Sequence, residues 1–362
     1  MRFTDEFRDL KVVEAIASSL KSMADARAVI MEVCGTHTMS IARFGLKSLL
    51  PPGVRLVSGP GCPVCVTDQR DIDSFLELGK RPDVILATFG DMLRVPGSRS
   101  SLEKMRASGA DVRVIYSPMD SLDIARDNPN REVVFFAVGF ETTIPATALT
   151  LKTALKMGLN NFYVFCVHKT IPEALRALLS NSEVNLHGLL LPGHVSTITG
   201  AGAFEFIPRE FGIACAVAGF EPVDILLGIE SILEQLSNSR PTVANRYRRA
   251  VTEESNSRAA ELIAEIFRPC SATWRGLGEI PQSGLELSPE YEALDARKRF
   301  AQAMANLPPT LPSVCRCGDV LRGVIMPSDC PLFAVRCTPD EPEGPCMVSS
   351  EGACAAVFKY GG

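Results

Sequence analysis

Cys62 and Cys65 stand two residues apart in GPGCPVCVT (59–67), directly behind a Gly-Pro-Gly turn. A C-x-x-C pair where a strand gives way to a helix lets both sulfurs face one point, which suits thiol–disulfide exchange or metal binding. EVCGTHTMS (32–40) has the same architecture. Cys34 sits where an apolar run ends and a helical pattern begins, so free main-chain N–H groups favour a thiolate there. His37, three residues on, could hydrogen-bond that thiol, relay protons or bind metal. The plainer account of the same letters is a buried cysteine beside a capping Thr36 or Thr38. In VGFETTIPATA (138–148) Glu141 would project from the end of a strand, with Thr142 and Thr143 available to cap the next helix. LLLPGHVSTITG (189–200) adds His194 as a lesser candidate, and His168 stands just past another strand end. Cys166 and Cys215 lie inside apolar runs and read as core.

Six of the twelve cysteines crowd the last part of the chain: Cys315, Cys317, Cys330, Cys337, Cys346 and Cys354. The segment around them is rich in Pro and Gly and cannot hold a large apolar core, so something else must pin it. Four thiolates can hold a [4Fe–4S] cluster or a zinc ion, and either bond set would stabilise such a segment. The tail lacks paired C-x-x-C knuckles, which favours the cluster over a zinc ribbon. A tail stapled by disulfides is the remaining alternative.

The elements that must position these groups follow a βαβ rhythm. Short Val/Ile-rich runs at 28–33, 54–58, 83–89, 111–117, 132–138, 162–167, 187–192 and 213–218 read as strands buried on both faces. Helical patterns occupy 5–24, 38–50, 68–79, 100–108, 143–157, 171–180 and 222–236. The fold class is therefore α/β with mainly parallel sheets. FAVGFETTIPATAL (136–149) and AVAGFEPVDILLGI (216–229) both run strand, Gly-Phe-Glu, helix, which points to two similar units in tandem. The expected division is an N-terminal helix (1–27) packed on the C-terminal domain, α/β units at 28–140 and 141–268, and a cysteine-rich cluster domain at 269–362.

Composition excludes several classes. The chain has 362 residues, 46% hydrophobic and 22% charged, with a net charge of -5 and interleaved signs, which argues against nucleic acid as main partner. The basic stretch NRYRRA (245–250) reads as a solvated helix face. No apolar run is long enough to span a bilayer, and the acid-bearing N-terminus does not resemble a signal peptide. A cytoplasmic location is expected, where twelve cysteines imply metal or redox chemistry more than structural disulfides. No G-x-x-x-x-G-K-[ST] loop is present, so an ATP-dependent step would belong to another protein.

CGTHT, GPGCPVCVT, GFETT and the tail GPCMVSSEGAC together resemble the signature segments of the HypD family of hydrogenase maturation proteins, in order and over nearly the whole chain. The resemblance implies a scaffold and redox protein for building the Fe(CN)2CO unit of [NiFe]-hydrogenases. It implies that Cys34 binds iron, shared with a small HypC-like chaperone, with His37 beside it. Cys62 and Cys65 would be a dithiol/disulfide pair that also contacts the iron, and Glu141 would lie near the same cleft. A HypE-like protein would deliver cyanide. The tail would hold a [4Fe–4S] cluster feeding electrons to the dithiol, with Cys317, Cys330, Cys337 and Cys354 as ligands and Cys315 and Cys346 in reserve. The competing function is a thiol–disulfide oxidoreductase acting through Cys62 and Cys65. A third possibility is a binding module whose cluster is only structural.

Overall fold

Nine of the strands build two parallel sheets, and the chain visits them in an interleaved order. The computed structural model describes residues 5–305, 307–311 and 313–361. The strands are β1 (Ala28–Glu32), β2 (Val54–Ser58), β3 (Val84–Thr88), β4 (Val112–Val114), β5 (Glu132–Ala137) and β6 (Phe162–Cys166), followed by β7 (Gly188–Pro192), β8 (Ala214–Ala218), β9 (Val243–Asn245), β10 (Phe267–Trp274) and β11 (Gly278–Leu287). One sheet has the order β2-β1-β7-β8-β9, the other β4-β3-β5-β6, and β10 and β11 form an antiparallel hairpin. Every pairing within the two larger sheets is parallel. All residues of β3, β6, β7 and β8 are buried, as strands covered on both faces by helices must be.

The α/β class with parallel sheets is therefore observed, but the units are not consecutive. β1 and β2 pair with β7–β9, so the β3–β6 sheet is inserted into the first one rather than following it at residue 140. The reason is register: β1 lies between β2 and β7, with Ile30 opposite both Leu56 and Gly188, and its buried Ile30 and Met31 need cover on both sides. The strand–Gly-Phe-Glu–helix echo is real as geometry, β5 carrying it in one sheet and β8 in the other. The N-terminal helix (Leu10–Ser22) packs on the helix Pro222–Ser237 of the first sheet, and Arg8 pairs with Glu221 there. It is the last helix of the tail, Ala353–Tyr360, that packs on the helix after Cys34.

NRYRRA is no helix face either. β9 ends at Asn245, Tyr247 packs against Gly193 and Gly219, and Arg249 forms a bidentate pair with buried Asp224. The hairpin β10–β11 has no clear mark in the sequence. Its strands alternate exposed and buried residues unevenly and carry a bulge at Cys270–Ala272, so neither period of two nor a continuous apolar run marks them.

Candidate functional site

Parallel strands end on a common edge, and the loops leaving that edge are where α/β folds place their chemistry. Cys34 follows β1 at the N-cap position of the helix Gly35–Arg43, without a capping side-chain bond, and Cys62 follows β2 and caps the short helix Pro63–Val66 with its sulfur. The two loops interlock: Gly35 N donates to Gly61 O at 3.2 Å, and Gly59 N to Glu32 O at 2.9 Å. A Cβ on Gly61 would lie 1.3 Å from the Val33 carbonyl oxygen, so only glycine permits this approach.

Cys62 and Cys65 are joined as a disulfide, with Cα atoms 5.2 Å apart. Cys65 N donates to Cys62 Sγ at 3.1 Å, and Ser349 Oγ lies 3.3 Å from the same sulfur. Cys34 is fully buried. Burial, and after it the carboxylate of Glu351, push its thiol up to about 12, against an opposing pull from Thr36 and His37 groups. At ordinary pH it is a thiol, and its partner is His194, whose Nδ1 lies 3.6 Å from Sγ. Burial lowers His194 to about 4, so the ring is neutral and can accept.

His37 does not serve the thiol with its side chain. Its Nε2 donates to Gly219 O at 2.9 Å and leans towards Ala218 O at 3.3 Å, while Nδ1 is buried without a partner. The ring packs on Phe220, which also meets His194, and burial lowers His37 to about 4. His37 thus ties Cys34's helix to the end of β8. Glu141 sits at the corresponding edge of the other sheet. Ile171 N donates to its Oε1 at 2.8 Å, its Oε2 is buried without a partner, and burial raises it to about 7. Among the described residues it has no hydrogen bond to Cys34, Cys62 or Cys65. The link runs through packing: Phe140 stacks on Trp274, ring centroids 5.8 Å apart, and Trp274 pairs with Thr67 behind Cys65. Thr143 stands at the cap position of its helix without capping it by side chain. Cys166 and Cys215 are buried in β6 and β8 as expected.

The tail closes over this edge. Cys315, Cys317, Cys330, Cys337 and Cys354 line one small cavity with Phe333 and Met347. Cys346 is fully buried and within hydrogen-bonding reach of Cys317. Among the described residues no three His, Cys, Asp or Glu side chains stand at ready-made metal-ligand spacing. Five thiols that share a cavity nonetheless supply soft donors in excess of the four a cubane cluster takes, so the residues fit that group. Against a lowering hydrogen bond from Cys315, Cys346 and burial push Cys317 up to about 12, and Cys354 is raised by burial and by its fellow thiols.

From the tail, Ser349–Glu351 runs back across both thiol loops. Thr36 Oγ1 donates to Glu351 Oε1 at 2.5 Å, and the Glu351 backbone lies so close to Gly35 that a Cβ there would be 2.3 Å from its carbonyl oxygen. Asp91, in the loop after β3, accepts from Ser349 Oγ (3.3 Å), Ser350 N (3.1 Å) and Ser350 Oγ (2.8 Å), all on Oδ2.

The chain matches a family model described as "HypD: Hydrogenase formation hypA family" over residues 10–361. It is 45% identical to the "Hydrogenase maturation factor HypD" of Rhodobacter capsulatus over 372 residues, covering 100% of this chain and 99% of that one. The protein of the same description from Azotobacter vinelandii is 47% identical over 371 residues, 100% of this chain and 97% of that one. That from Escherichia coli K12 is 45% identical over 375 residues, with 99% and 98% covered.

The chain belongs to the HypD family.

Hydrogenase maturation is the process in which that family works. In this HypD-family chain the sequence motifs bring Cys34, Cys62 and Cys65 to one edge, with Glu141 at the matching edge beyond Trp274. The residues that complete the site lie far off in sequence. His194 reaches Cys34 across 160 positions and Ser349 reaches Cys62 across 287. Asp91 carried a usable signal, since it follows the apolar run of β3 as Cys34 follows β1. Trp274 is the chain's single tryptophan, and Glu351 lies inside the tail motif.

Proposed function

We propose that this hydrogenase maturation factor is a scaffold on which an iron ion receives cyanide and carbonyl ligands, with Cys34 as the iron's anchor and Cys62/Cys65 as its redox partner. The iron is cargo. Cyanide and carbonyl are strong-field ligands that hold iron low-spin, and a soft thiolate suits such an iron. Binding it requires that Cys34 lose its proton. His194, 3.6 Å away, can accept the thiol's hydrogen bond, and a bound metal would itself draw the proton off the coordinating sulfur.

The observation that carries the proposal is the Ser349–Glu351 segment, which brings the tail cysteines, the disulfide and the Cys34 loop into one contiguous structure. Cys317, Cys330, Cys337 and Cys354 would hold a [4Fe–4S] cluster, with Cys315 and Cys346 in reserve. Bound there, the cluster would supply the electrons that open the disulfide. Cys346 lies in the helix Pro345–Val348, which packs directly on the Pro63–Val66 helix of the disulfide.

The family resemblance supplies the partners, and the site's chemistry is compatible with them. A buried thiol with one histidine leaves iron short of ligands, which a HypC-like chaperone would complete with its own cysteine, and a HypE-like protein would bring cyanide. Ten free cysteines beside one disulfide suit the reducing cytoplasm. A thiol–disulfide oxidoreductase is the second reading, favoured by the Cys62–Cys65 bond itself.

The experiment is an infrared spectrum of protein purified anaerobically from its host, with iron and labile-sulfide content. Metal-bound cyanide and carbonyl bands are expected, with more than four irons per chain, and both the bands and the extra iron should vanish in Cys34→Ala. Four irons and four sulfides with no such bands would overturn the scaffold and leave the oxidoreductase standing.

A further inference from the structure

The hydroxyl of Ser349 faces a choice of acceptors. The side chain is 1% exposed, so water cannot serve it and its O–H must find a protein partner. Glu351 N already donates to Ser349 Oγ at 3.1 Å, which uses the oxygen as acceptor. The single proton can then go to Asp91 Oδ2 or to Cys62 Sγ, each 3.3 Å away. A sulfur in a disulfide is a poor acceptor, and a carboxylate is a strong one. While the pair is oxidised, the proton belongs to Asp91.

We propose that Ser349 is a positioning residue for the Cys62/Cys65 couple, donating to Asp91 while the pair is a disulfide and turning to the Cys62 sulfur when that bond is reduced. This rests on the redox role of the pair proposed above. Reduction breaks the Sγ–Sγ bond with two electrons. Given a dithiol reductant, which is itself oxidised to a disulfide, one proton ends on Cys65 Sγ and the other goes to solvent, leaving a thiolate at Cys62. Cys62 is the sulfur that already accepts from Cys65 N, and a second donor from Ser349 completes its solvation. The turn strands nothing, because Asp91 keeps its two bonds from Ser350. Asp91 acts in the opposite sense. Its charge competes for the Ser349 proton and, at this range, opposes a second negative charge on Cys62.

The two residues therefore pull the couple in opposite directions, which a merely structural role would not do. Full-length protein, purified anaerobically, is equilibrated with graded ratios of reduced to oxidised dithiothreitol, or of glutathione. Free thiols are then alkylated, and the Cys62–Cys65 peptide is quantified by mass spectrometry. Ser349→Ala should need a roughly tenfold more reducing buffer, about 30 mV for a two-electron couple. Ser349→Thr, which keeps the hydroxyl, should titrate like the parent. Asp91→Asn, which still accepts from Ser350, should shift about threefold the other way. Unmoved midpoints in Ser349→Ala and Asp91→Asn, or shifts of the same sign, overturn this proposal while leaving the redox role intact. A parent protein whose pair never titrates overturns both.

Discussion

Cys34, Cys62 and Cys65 are placed by the ends of parallel strands, whereas the tail thiols are placed by turns and by helices of three to eight residues. At the first set, main-chain hydrogen bonds between interlocked loops fix the sulfurs, and β1 behind Cys34 is buried at four of its five residues. At the second, Leu321 and Met347 pack into the core shared with the sheets while Val335 is 83% exposed and Val324 48%, so the segment has little apolar interior of its own. Strand ends can hold reactive groups ready before any ligand arrives. A loop-built nest becomes rigid through the bonds its ligand makes.

The strongest way to break that contrast is to remove a tail thiol. Cys354→Ser is expected to lose most iron and labile sulfide and to open residues 313–361 to trypsin, while the two parallel sheets survive digestion as one large fragment. Intact-mass analysis of a digestion time course reads this directly, and a tail that stays resistant without iron would show that it holds itself. Next in size comes Gly61→Ala. The clash with the Val33 carbonyl should cost about 3 kcal/mol or more, whether or not iron is present. Denaturant unfolding with and without a chelator tests it, and a cost that appears only with iron would erase the distinction.

A smaller and pH-bound effect belongs to Glu141. Burial lifts it from an ordinary 4.5 to about 7. The folded chain then holds that proton more tightly than the unfolded chain, so stability falls as pH rises between those values. Glu141→Gln should match the parent near pH 4.5 and exceed its stability at pH 8 by up to about 3 kcal/mol. Equal stability at both pH values would mean that Oε2 is solvated.

Much of this was legible in the residues themselves. β2 spans 54–58, as its Val/Leu run predicts, and the Cys62 and Cys34 loops follow strands as their apolar approaches require. What failed were features set by distant partners. His37 is nearest to Cys34 in sequence, but Cys34 has extended backbone at the N-cap and so does not share the helix's face with His37, whose ring goes to the end of β8 while the thiol meets His194. The domain boundary failed for the same reason: a strand's own letters do not say which later strand will lie beside it, so β1's pairing with β7 was invisible. The short strand β9 and the bulged hairpin lacked the periodicity that marks longer elements.

The interleaved strand order also sets a schedule for synthesis. β1 and β2 leave the ribosome first, yet the neighbour on β1's other side is β7, which emerges only after the entire inserted sheet has been made. Cys34 and the histidine that serves it are therefore apart through most of translation, and Ser349 and Glu351 arrive last of all. A half-made chain has these cysteines but not the residues that enclose them. The enclosed edge around the three thiols is thereby completed only when the last elements of the polypeptide fold back onto the first.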